Sequence, residues 1–203
     1  MTPRSLAMLL TTAMCFAVAP ATSLAQTSGS LTAQADALLR SASEDALDRL
    51  FSSVHGLSRS DADANRLCRA LASPSRGSAD TWLALAQEIA PEHRDALTGA
   101  LAEVALSGWQ GQPMAFDETA ARKSLRQAGV RAALLNEGFS AAALAADGPS
   151  DEEADAVRCQ SLRWLLDAVA TQPASERAAI TRLLLRDGVA ALLQGAANAP
   201  AAS

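Results

Sequence analysis

Cys68 and Cys159 are the residues whose chemistry the sequence constrains most tightly. The chain has three cysteines, and the first, Cys15, lies in a stretch that reads as a secretory signal over residues 1 to 25. Arg4 supplies its positive start, Leu6 to Val18 a short apolar run, and Ser23, Leu24 and Ala25 a small-residue cleavage site before Gln26. Met14 precedes Cys15 where a lipoprotein signal needs a small residue, and no twin arginine is present, so ordinary export is expected. Cleavage near Ala25 leaves two thiols in an oxidising compartment, where a pair most often bridges. A Cys68–Cys159 disulfide would close a loop of about 91 residues (159 − 68) and stabilise by roughly 4 to 5 kcal/mol in the chain-entropy model. The competing reading is two separate buried thiols acting as small hydrophobes. A redox-active pair would favour a C-x-x-C spacing, which is absent.

Other chemistry-bearing residues are scattered. His55, just before Gly56, suits a helix C-terminus, and His93 suits the exposed first turn of a helix that begins at Pro91. Neither histidine belongs to an H-x-x-x-H or H-E-x-x-H array, so no metal site is expected. Gly-x-Ser-x-Gly is absent, which leaves a hydrolase only as a site assembled in space from serine, histidine and an acid. Asp151, Glu152 and Glu153, and likewise Asp61 and Asp63, read as first-turn charges that favour the helix dipole. Arg122, Lys123 and Arg126 form a basic face that could meet a carboxylate or phosphate, with Glu118 four residues before Arg122 as the competing intrahelical partner. Trp109, Met114 and Phe116 fall in a glycine- and proline-containing stretch expected to be a loop, where large apolar side chains serve as anchors for a partner. The alternative is that Phe116 staples a helix capped by Asp117 while Trp109 and Met114 fold back onto the core.

The elements that must position these residues are helical throughout. Apolar residues recur at three- and four-residue intervals, and no segment sustains the period-two alternation of a strand. The expected fold is all-α with seven to nine helices, either a compact bundle or a short solenoid-like array of helical hairpins. A single domain over residues 31 to 195 is expected, preceded by a flexible leader at 26 to 30 and followed by a disordered tail from Ala196. Ser150 followed by Glu153 marks a capping box for a long apolar helix that carries Cys159 and Trp164 and ends at Pro173. Ser41 with Glu44 marks a second box, Asp80 a cap, and Gly56, Gly108, Gly129 and Gly188 are expected stops or breaks. The helix after Pro91 is expected to bury Leu97, Leu101, Val104 and Ala105. Trp82 and Trp164 each precede a proline, Pro91 and Pro173, by nine residues, which suggests a duplicated hairpin or a coincidence in an alanine- and leucine-rich chain.

Composition bounds the function. At 203 residues and 49 % hydrophobic the chain can bury a core. Its formal charge is −5, or −6 after loss of Arg4 alone with the signal, which argues against nucleic acid and anionic membranes as partners. No stretch is long and apolar enough for a transmembrane anchor. The reading is a periplasmic or secreted, non-catalytic module without a cofactor, binding another envelope or extracellular protein as an adaptor, inhibitor or immunity-type factor. A carrier of an apolar ligand between helices is the alternative, and the spatially assembled hydrolase a third.

Overall fold

The computed structural model describes residues 23–73, 78–145 and 151–198, with the backbone alone for 23–30 and 192–198. Most of the expected signal segment, residues 74–77, residues 146–150 with Ser150 among them, and the last tail residues lie outside the described residues. Those described contain nine α-helices and no strand: α1 (Ser23–Ser41), α2 (Glu44–Arg59), α3 (Asp61–Ala72), α4 (Ala79–Glu88), α5 (Pro91–Gln110), α6 (Glu118–Leu135), α7 (Ala141–Ala145), α8 (Glu152–Ala170) and α9 (Ala174–Asn198). The fold is an all-α multi-helix bundle.

Short polar side chains cap α2, α3, α4, α6 and α8, in places one or two positions from where the sequence suggests. Ser43 rather than Ser41 caps α2 by accepting from the Ala46 N–H, and Ser78 rather than Asp80 caps α4. Asp151 caps α8 through the Ala154 N–H, and Asp117 caps α6 as expected. The glycines expected to break helices do not. α2 runs through Gly56, α5 through Gly108, α6 through Gly129 and α9 through Gly188. A helical glycine costs only about 1 kcal/mol relative to alanine, which packing of the rest of the helix outweighs. Residues 26 to 30, expected as a leader, lie within α1, and Ala196 to Asn198 lie within α9.

The centre of the bundle is α2. Leu47 and Leu50 join one core cluster with Leu39, Ala100, Val104 and Ala178. Phe51 joins a second with Ala128, Ala132, Leu166, Val169 and Ile180, and Leu57 a third with Ala70, Leu85 and Ile89. α9 runs antiparallel along both α1 and α2. Arg177 grips Asp48 through two hydrogen bonds of 2.6 and 2.8 Å, and Arg186 lies 3.9 Å from Asp36 at the other end. α5 runs antiparallel to α2, tied by the Ser43 N–H to the Ser107 Oγ (3.3 Å) and by Ser53 Oγ to the Ala96 carbonyl (3.4 Å). The tryptophan-bearing α4 and α8 pack mainly on helices other than the one after their prolines, α4 on α3 and α8 on α6, α3, α2 and α7. They do not pack as the hairpins that the duplicated-hairpin reading of the spacing would require.

The joint between α1 and α2 is buried, and three elements close it. Arg182 of α9, itself buried, donates to the carbonyls of Leu39 (2.9 Å) and Ala42 (2.7 Å). The Met114 N–H donates to the Arg40 carbonyl at 3.1 Å. These bonds satisfy acceptors that the end of a helix leaves without partners. α5 approaches so closely that a Cβ on Gly108 would lie 2.5 Å from the Leu38 oxygen, and one on Gly111 2.2 Å from the Ser41 oxygen. Gly129, by contrast, has open space around it. Gly108→Ala should therefore destabilise by about 1–3 kcal/mol through overpacking against backbone, while Gly129→Ala should stabilise by about 0.5–1 kcal/mol. Urea midpoints of the two variants check this, and shifts of the same sign would contradict it.

Candidate functional site

α5 has two apolar faces, and the inner one is made of small residues. Ala100, Val104 and Gly108 are buried, whereas Leu101 and Ala105, expected in the core, face outward. At about 100° per residue, Thr98, Leu101, Ala102, Ala105, Leu106 and Trp109 share one arc, and all are exposed. That arc carries no charge along three turns. Trp109 is 85 % exposed and Leu106 57 %, one turn apart. Single exposed leucines are ordinary, but a contiguous uncharged face ending in an exposed tryptophan is not.

The three residues expected on a partner-binding loop separate. Trp109 belongs to α5 and does not fold back, and Met114, in the loop after it, is 40 % exposed. Phe116 is half-buried, with the guanidinium groups of Arg182 and Arg186 each 5.7 Å from its ring centroid, which makes it a support for those arginines. A second apolar group, Val130, Leu134 and Leu135, is exposed at the end of α6.

The basic face of α6 is partly spent on internal pairs. Arg122 bonds Glu118 at 2.8 Å and Asp187 at 3.4 Å, and Arg186 also bonds Glu118. The Arg186 and Arg122 guanidinium groups hold the Glu118 carboxyl below its usual range. Lys123 and Arg126 are exposed, and no carboxylate pairs with either among the described residues.

The expected cross-link is present. Cys68 of α3 and Cys159 of α8 form a disulfide with Cα atoms 5.3 Å apart. Two further ties follow at four-residue steps along the same stripe of α8: Arg163 to Asp61 at 2.8 Å, and Asp167 to His55 Nε2 at 2.8 Å. His55 lies inside α2, stacked on Phe51, rather than at the helix end. Ser58 sits beside it, but its hydroxyl donates to the His55 carbonyl (2.7 Å) and not to the ring. A Ser–His–acid relay would need that bond to reach the imidazole.

Asp63, which reads in the sequence as a first-turn charge, is only 1 % exposed. It accepts from Arg66 (2.6 Å), His93 Nδ1 (2.6 Å) and the Ala90 N–H (3.2 Å), so it fastens the start of α3 to the α4–α5 corner. Burial alone would raise its carboxyl pKa. The hydrogen bonds from His93, Arg66 and Ala90 outweigh burial and hold it below the usual value. His93 Nδ1 on a buried carboxylate resembles the orienting pair behind a metal or a general base, yet no group of three histidine, cysteine or acidic residues among the described residues could hold a metal ion. Comparison with family models, curated proteins and solved structures returned no match.

Because the folded pKa of Asp63 is depressed, its ionic contribution is present above the unfolded value of about 4 and is lost as pH falls through the folded one. Asp63→Asn should cost about 1–3 kcal/mol at neutral pH. The gap from wild type should narrow below about pH 4. Urea denaturation between pH 3 and pH 7 measures it, and a gap that stays constant would contradict this role.

Proposed function

We propose that this chain is an exported, non-catalytic helical module that binds another envelope or extracellular protein through the outward face of α5. The observation that supports this is the exposed, uncharged Leu101–Trp109 face. A large aromatic on a rigid helix loses little conformational entropy when it is covered, and such residues dominate interface energetics. The partner should bring an apolar ridge of comparable length. The Cys68–Cys159 disulfide and the absence, among the described residues, of a helix long and apolar enough to cross a membrane are compatible with export. The cavity beside α2 is lined by Ser58, Arg59, Arg163 and Asp167, which gives no support to a carrier of an apolar ligand.

Two measurements test the reading. Affinity capture from the envelope fraction with wild type and with Leu106→Ala/Trp109→Ala should differ by a protein that only wild type retains, while the helical circular dichroism of the two is the same. Equal capture by both would remove α5 as the binding face. The intact mass of the exported chain should correspond to a start at Gln26 and contain no free thiol. A mass that retains residues 1 to 25, or thiols that react without reductant, would contradict export by the expected route.

A further inference from the structure

A cavity of about 360 Å³ opens between the end of α2 and α8, lined by Ser58, Arg59, Arg163 and Asp167. Its volume is at the lower end of small-ligand sites. Its walls carry both signs of charge. Arg59 is exposed and makes no ion pair among the described residues. Arg163 is only 30 % exposed and pairs through Nη1 with Asp61. Asp167 accepts from His55 through Oδ1, and nothing among the described residues engages its Oδ2.

We propose that this cavity binds a compact zwitterion, a free amino acid or short peptide, with its carboxylate against Arg59 and Arg163 and its ammonium group against Asp167. A guanidinium presents several N–H donors in a planar fork that matches a carboxylate, and the free Oδ2 of Asp167 supplies the acceptor that an ammonium group needs. A simple anion would gain from the arginines but meet Asp167, and a simple cation would meet two arginines. Only a ligand with both charges satisfies the whole lining. The base of the cavity is stiff, because α8 is tied to α3 by the disulfide four residues before Arg163 and to α2 by His55. A rigid wall lowers the ordering cost of holding a small ligand.

The test is a titration of the exported chain with glycylglycine, N-acetylglycine and glycinamide, followed by calorimetry and by the arginine Nε–H signals in NMR spectra. Glycylglycine should saturate the protein and shift the Arg59 and Arg163 signals. N-acetylglycine, which lacks the ammonium group, and glycinamide, which lacks the carboxylate, should each bind about tenfold more weakly or worse, equivalent to 1.4 kcal/mol. Arg59→Met, at an exposed position outside the core, should weaken glycylglycine by a similar factor and leave the urea midpoint unchanged. Asp167→Asn should bring glycylglycine down to the level of N-acetylglycine. Equal binding of glycylglycine and N-acetylglycine would overturn the zwitterion assignment. The absence of saturable binding, or binding that Arg59→Met leaves intact, would overturn the site. None of these outcomes bears on the face of α5, which lies on a different helix.

Discussion

A buried guanidinium without a carboxylate partner is the constraint on which the rest of this bundle depends. Arg182 is 4 % exposed and satisfies itself on the carbonyls of Leu39 and Ala42, where α1 gives way to α2. Burial pushes its pKa down, and the charge of Glu44 partly offsets that. The exchange works in both directions. The end of α1 leaves acceptors that water cannot reach, and an arginine on α9 would be costly to bury anywhere that lacked acceptors. Meeting at one point, the two fix the α1–α2 bend and the register of α9 along it. The same joint takes the Met114 N–H and the close approach of Gly108 and Gly111.

That geometry decides which face of α5 meets solvent. Gly108 can be only inward, because its side of α5 lies against the Leu38 backbone, and Val104 and Ala100 follow it at four-residue steps into the core. Leu101, Leu106 and Trp109 are therefore held outward by the small residues opposite them and not by any preference of their own. The exposed apolar face is the consequence of a tight internal contact. Local unfolding or rotation of α5 to hide Trp109 would have to break the contacts at the joint, so the face stays exposed to solvent.

Much of this was legible in the sequence, and the exceptions share a cause. The all-α fold followed from periodicity, and the Cys68–Cys159 bridge from the two thiols that the expected signal cleavage would leave. Periodicity could not choose between the two apolar faces of α5, because alanine, valine and glycine carry the inner one and the larger leucine and tryptophan stand on the outer. Gly56, Gly129 and Gly188 read as breaks because propensity is local, whereas α2, α6 and α9 are held by packing along their whole length. Asp63 and Arg182 were invisible as buried polar groups. Asp63 sits in a first turn, where acids are common. The partners of Arg182 are backbone carbonyls about 140 residues away, and a carbonyl leaves no mark in the sequence. The tryptophan–proline spacing did find two helix corners, but the packing partners that would make them hairpins lie elsewhere.

The proposed binding role of the outward face of α5 is tested most directly in the intact cell. A photo-reactive residue placed at position 109 should give one discrete covalent adduct with a second protein. The same probe at the exposed Lys123 position on α6 should not give that adduct. An identical adduct pattern from the two positions, or no adduct from position 109 in cells that export the folded, disulfide-bonded chain, would contradict it.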